Sequence, residues 1–220
     1  MYHGCRDPSC VDMERLENKP HEALEEGGGE KIRIHGMKGW WYPSDSSNYS
    51  VRDRTKDDID QVVIHTAEGY TGGLDTFRDP DRDASAHYAI AWDGTLVRMV
   101  EDKDMAWHAS SANGRSIGIE HAGFAHAMQP GTEMQWNKPL LRKSAKLVAK
   151  LSRKYKIPID RDHIISHASV DPSRRSDPGP HWPWDWYIRR IKFYYYRPYV
   201  SAVVGVLLLT TAAAWIRRKK

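Results

Sequence analysis

Three residues of metal-binding type stand at the ends of short, distinctive segments. His65 closes the apolar run DQVVIH (60–65), His167 follows the second run HIIS, and Asp177 lies ten residues further on in SHASVDPSRRSDPGPHW (166–182). A stretch so dense in Pro, Ser, Arg and Asp cannot continue a helix or a strand, so it is a loop of enforced shape. Two imidazoles leaving one sheet edge, with a carboxylate returned by such a loop, match the ligand inventory of a zinc site with an open fourth position. Eleven histidines allow many other trios, and a lone histidine is as readily a hydrogen-bonded core residue. Spacing by itself leaves both readings open.

The elements that must hold these residues read as an α/β domain. DQVVIH is a short apolar run of the kind that forms a buried strand. AHYAIA and TLVRMV flank Asp93-Gly94, a strong short-range hairpin signal, and SIGIEHAG (116–123) supplies a further strand. From Pro139 to Tyr155 the apolar residues Leu141, Ala145, Val148, Leu151 and Tyr155 recur at helical spacing. Pro158 bars its continuation, and HIIS makes the next strand. The expected fold is a central mixed β-sheet flanked by helices, with a transmembrane helix appended at the C-terminus.

That appended segment follows from composition. Residues 187–220 carry eight of the 33 Lys and Arg and none of the 29 Asp and Glu, so the remainder, 25 against 29, has a net charge of about −4. An acidic folded part excludes the usual nucleic-acid binder, whose basic patch lies on the domain itself. From Tyr199 to Ile216 the chain reads YVSAVVGVLLLTTAAAWI without a charge, close to the shortest length that spans a bilayer. Tyr194, Tyr195, Tyr196, Tyr199 and Trp215 stand where aromatic belts occur, and Arg217 to Lys220 close the end. Residues 1–35, rich in Glu and Gly, read as a flexible arm, 36–192 as the domain and 193–220 as the membrane-anchoring segment. No basic region followed by an apolar core opens the sequence, so no secretory signal is expected. Cys5 and Cys10 read as incidental thiols.

Five motifs in order carry a resemblance: VVIHTAEG (62–69), SAHYAIAWDGTL (85–96), AWHA (106–109), SIGIEHAG (116–123) and SHASVDPSRRSDPGPHWPWDW (166–186). Together they resemble the zinc-dependent N-acetylmuramoyl-L-alanine amidases, the group that includes phage endolysins, wall-recycling amidases and peptidoglycan-recognition proteins. The resemblance covers about residues 36–191. It implies that His65, His167 and Asp177 hold Zn²⁺ and that Glu120 is the acidic residue beside the attacking water, acting as general base and then general acid. It places Arg175 where many relatives carry lysine, to stabilise the oxyanion. It makes Trp107 and His108 a substrate-facing cleft wall. His87 is expected to be structural, and Trp182, Trp184 and Trp186 to pack the last loop onto the domain.

The resulting expectation is a membrane-tethered zinc hydrolase that cleaves the amide between N-acetylmuramic acid and L-alanine of peptidoglycan. Its domain would face the cell wall, or wait in the host cytoplasm at the inner membrane if it is an endolysin. The alternative is a non-catalytic peptidoglycan-binding module with a membrane-active tail. Retention of all three ligands together with Glu120 favours the enzyme.

Overall fold

The computed structural model describes residues 20–69, 73–125 and 137–200. Helix α1 (Pro20–Glu26) leads into strands β1 (Glu30–Ile34) and β2 (Met37–Trp41), followed by the short β3 (Tyr49–Ser50) and then β4 (Gln61–Thr66). Strands β5 (Tyr88–Ile90), β6 (Leu96–Arg98), β7 (Met105–Ala106) and β8 (Ser116–His121) come next. Helix α2 (Lys138–Tyr155), strand β9 (Ile164–Ser166) and the one-turn helix α3 (His167–Val170) complete the sequence of elements that lead to the site. A C-terminal helix occupies 184–200.

Seven strands form one sheet in the order β1-β2-β6-β5-β8-β4-β9, and β3 pairs with β7 separately. The core is parallel: β5, β4 and β9 run with β8, while β5–β6 and β1–β2 are antiparallel hairpins. The expected mixed sheet is therefore present. The β5–β6 turn is a three-residue loop, closed by Ala91 N to Thr95 O (3.0 Å), with Gly94 at φ 86°. Glycine adopts that left-handed conformation without the Cβ penalty.

Period-2 alternation divides β4 and β8 between two environments. Val62, Ile64, Ile117 and Ile119 are fully buried in the main core, against α2 residues such as Leu141, Val148 and Leu151. Each buried aliphatic side chain of this kind contributes about 1.5–3 kcal/mol. Val63 and His65 on β4 lie beside Gly118 and Glu120 on β8 in register, on the opposite face. A one-residue slip would drive His65 and Glu120 into the aliphatic core, so the packing fixes which face carries the polar groups.

Two domain boundaries differ from the sequence reading. Residues 20–34 are not part of a flexible arm: α1 and β1 belong to the domain, with Leu24 and Ile34 buried. The glycine run is the end of α1. Gly29 N donates to Leu24 O (2.7 Å), Gly28 sits at φ 80°, and a Cβ on Gly29 would lie 2.8 Å from Leu24 O. Such a left-handed cap is a common helix terminator. Strand β1 is polar because it is an edge, and edge strands are often charged on the solvent side. Beyond it the β1–β2 turn reaches a buried hub, where His35 lies 3.3 Å from Asp102, which also accepts from Tyr155 Oη (2.6 Å), Lys154 Nζ (2.8 Å) and Tyr88 Oη.

At the other end, the C-terminal helix runs unbroken through the 192/193 boundary. Tyr187 and Ile191 are fully buried, and Arg153 donates to the carbonyls of Tyr194 (3.1 Å) and Tyr195 (2.8 Å). The apolar run beyond Val200, and the arm as far as residue 19 with its two cysteines, lie outside the described residues. Among the described residues no helix is long and apolar enough to cross a membrane.

Candidate active site

The carboxyl ends of the parallel strands bring the three sequence-predicted ligands together. His65 sits near the end of β4, His167 opens α3 directly after β9, and Asp177 reaches back from the loop. Ser166 caps α3, its Oγ accepting from Ser169 N at 3.0 Å. Asp177 is placed by its own backbone, whose carbonyl accepts from Ala168 N (3.0 Å), and the Asp177–Pro178 peptide is cis. Gly179 (φ 86°) lets the loop press on Ala125, whose carbonyl oxygen would stand 2.5 Å from an added Cβ.

The ligand atoms converge on one point. The Nδ1 atoms of His65 and His167 lie 3.0 Å apart, and Asp177 Oδ2 is 3.3 Å from His65 Nδ1, with Oδ1 3.2 Å from His167 Nδ1. One ligand atom from each of the three falls within 4.8 Å of the others. Burial lowers the pKa of His65, against the pull of Asp177, so its imidazole is held neutral. Burial would raise Asp177, but its bonds to His167 and His65 outweigh this and keep it ionised. Two lone-pair-bearing nitrogens and a carboxylate at these distances repel one another unless a proton or a cation lies between them. Two imidazoles and one carboxylate are a donor set that fits zinc.

Glu120 lies beside His65 across the β4–β8 ladder. Its Oε2 is sealed from solvent and has no hydrogen-bond partner among the described residues. Burial first, and then the charge of Asp177, push its pKa up to about 8, opposed by Arg175 and Arg82. A carboxyl poised near neutrality can both accept and deliver a proton. Arg175 is exposed at the rim of the same cavity of about 620 Å³, which Trp107, Phe77 and Arg82 also line. Trp107 is fixed at the wall by Nε1 to Ser50 Oγ (2.9 Å).

His108, expected at the substrate-facing wall, lines the same cavity as Trp107. It is nearly buried and turned inward, with Nδ1 3.0 Å from His65 Nε2 and Nε2 3.2 Å from Ser116 Oγ. His87 is structural as expected: it is buried, neutral with a pKa lowered to about 3 chiefly by burial, and accepts from Gly118 N at 3.0 Å. Trp182 is buried against His121 and Tyr187.

Sequence reasoning missed several neighbours. Arg82 adds a second cation to the cavity. His121 Nδ1 lies 2.9 Å from His65 O, and its Nε2 is 2.6 Å from Ser144 Oγ, which bonds Tyr187 Oη at 2.5 Å. A carbonyl only accepts, so His121 donates to His65, Ser144 to His121 and Tyr187 to Ser144. The alternation in SIGIEH was the one available signal, since it puts Ser116, Gly118 and Glu120 on a single face.

Comparison with known proteins agrees with this geometry. The family profile described as N-acetylmuramoyl-L-alanine amidase matches residues 55–180. N-acetylmuramoyl-L-alanine amidase A of Achromobacter lyticus is 32% identical over 170 residues, spanning 69% of this chain and 92% of that protein. The 1,6-anhydro-N-acetylmuramyl-L-alanine amidase AmpD of Haemophilus influenzae is 33% identical over 116 residues, 49% of this chain and 59% of the relative. Among solved structures, the amidase AmiD of Escherichia coli, in complex with anhydro-N-acetylmuramic acid-L-Ala-D-γ-Glu-L-Lys, shares the fold. It has a TM-score of 0.52 at 24% identity, covering 60% of this chain and 57% of that one. With the His65, His167 and Asp177 trio gathered at the carboxyl edge of the sheet and the matched segment enclosing all of it, the chain belongs to the N-acetylmuramoyl-L-alanine amidase family.

Proposed function

We propose that this peptidoglycan amidase hydrolyses the amide between the lactyl group of N-acetylmuramic acid and L-alanine with a zinc ion held by His65, His167 and Asp177. The observation that carries the reading is the convergence of three ligand atoms within 4.8 Å next to a sealed, proton-accepting Glu120. Zinc at such a site supplies Lewis acidity to the scissile carbonyl and lowers the pKa of water. Glu120 takes the proton of the attacking water and returns it to the departing alanine nitrogen. Arg175, a permanent cation at the rim, balances charge that develops on the carbonyl oxygen. Trp107 offers a ring face to the muramyl peptide. A binding-only module has no use for a Glu120 whose Oε2 is sealed without a partner, at a cost in stability.

The test is hydrolysis of purified peptidoglycan by the full chain. Free alanine amino termini should appear, cease with chelator and return with Zn²⁺. New reducing sugar ends in place of amino termini would refute the amidase reaction.

The same proposal includes a membrane tether through 193–220. It is supported by the uncharged run to Ile216 and by the C-terminal helix, where Phe193, Tyr196, Tyr199 and Val200 are each more than half exposed. Basic residues flank the apolar run four against four, so charge does not orient it. The substrate does: we place the domain on the wall side and residues 217–220 on the cytoplasmic side. Protease added to intact cells checks this. Protection of the domain while a wall-side control is digested would instead favour an endolysin that waits inside the host.

A further inference from the structure

The hydrogen bonds behind His65 have only one consistent set of directions. Ser116 Oγ is 2.6 Å from the carbonyl of Ala112 and 3.2 Å from His108 Nε2. A carbonyl oxygen has no proton to give, so the single hydroxyl proton of Ser116 goes to Ala112. Ser116 therefore meets His108 with a lone pair, and His108 must carry its proton on Nε2. A neutral His108 then has a bare Nδ1, and that atom lies 3.0 Å from His65 Nε2. His65 must donate there, which leaves its own Nδ1 bare and facing His167 and Asp177. The chain has a defined start at a backbone carbonyl and a defined end at the point where the ligand atoms converge.

Several features keep the relay in place. Gly118 lies under the His108 ring: an added Cβ would stand 2.4 Å from Cγ and 2.6 Å from Nδ1. Asn113 Oδ1 accepts from the backbone N–H of His108 (3.0 Å) and of Ala109 (2.6 Å), folding the 107–115 loop over the ring. Ser116 is fully buried and His108 nearly so.

We infer that His108 and Ser116 are positioning residues that select the tautomer of His65, so that its Nδ1 lone pair is presented for metal binding. Both residues act through His65 and are not members of the ligand trio. The inference rests on the reading of His65, His167 and Asp177 as the zinc ligands. Outer partners of this kind commonly alter metal affinity by about 10- to 100-fold when removed.

The experiment uses the full chain with ¹⁵N-labelled histidine, stripped of metal by chelator, and then titrated with Zn²⁺ against a chromophoric competitor. Long-range ¹H–¹⁵N correlation should show His65 protonated on Nε2 before zinc is added. Ser116→Ala removes the acceptor for His108 Nε2 and should yield a mixture of His65 tautomers, with zinc affinity lower by about 10- to 100-fold. His108→Ala should weaken zinc at least as much. His108→Asn, whose Oδ1 stands close to the position of Nδ1 and accepts in the same way, should restore most of the affinity. A wild-type His65 protonated on Nδ1 overturns the relay, and this measurement stands even if a variant fails to fold. Wild-type affinity and unchanged ring shifts in Ser116→Ala also overturn it. Failure of the wild-type chain to bind Zn²⁺, with His65 still protonated on Nε2, sinks the metal reading and not the hydrogen-bond directions.

Discussion

Replacing Glu120 with glutamine separates the electrostatics of the site from its chemistry. A carboxyl displaced from 4.5 to about 8 binds its proton more tightly in the folded chain than in the unfolded one. Its contribution therefore favours the folded state in acid and is withdrawn as pH rises from about 4.5 through about 8. At about 1.4 kcal/mol per decade the whole span amounts to at most about 5 kcal/mol, and the side chain's partial exposure reduces it. Glutamine is nearly isosteric with the protonated acid and never ionises. In chelator-treated protein, urea unfolding at pH 5 should find Glu120→Gln and wild type within about 1 kcal/mol, because both carry a neutral side chain there. Near pH 8.5 the variant should be the more stable by about 2–5 kcal/mol. Other titrating groups are common to both proteins and cancel in the comparison. With zinc restored, the variant should retain its metal and lose about 10²- to 10⁴-fold in turnover. A stability difference that is the same at both pH values would refute the burial argument, and unchanged turnover would refute the proton-transfer role.

Asp177→Ala removes one of the three proposed ligands and leaves two buried imidazoles facing each other, so zinc content and amidase activity should fall together. Metal analysis after dialysis reads this directly. Arg175→Ala should lower kcat by about 10²- to 10³-fold with zinc content unchanged, and Arg175→Lys should recover most of it if charge at the rim is what matters. Gly118→Ala places a methyl group inside the His108 ring and should destabilise the domain by about 1–3 kcal/mol while weakening zinc, measured by urea unfolding and competition titration.

The convergence of His65, His167 and Asp177 was legible because the chemistry concentrates in motifs and the two histidines stand at the ends of apolar runs. DQVVIH and HIIS became adjacent parallel strands with His65 and His167 at the same edge, and the Pro-braced loop did return Asp177 to them. The helix from Pro139 to Tyr155 was legible because its apolar face repeats at the helical period. The N-terminal strand was not, since an edge strand exposes one side and its residues Glu30, Lys31 and Arg33 resemble those of a solvated arm. Glycines 27–29 looked like linker and act as a helix cap, a distinction that depends on backbone angles absent from composition.

The partners of the ligands were beyond the reach of sequence for a different reason. A hydrogen bond links residues by position in space, and His65 meets His108 across 43 residues and His121 across 56. Sequence alone determined that two histidines were available at strand ends and a carboxylate on the Pro-braced loop that follows them. Only tertiary packing decided that His108 stands behind His65, that Glu120 Oε2 is sealed from solvent, and that Tyr187 of the C-terminal helix reaches the backbone of His65 through Ser144 and His121. Those outcomes depend on burial and on the direction of each shared proton, and both are set only when the elements close over one another.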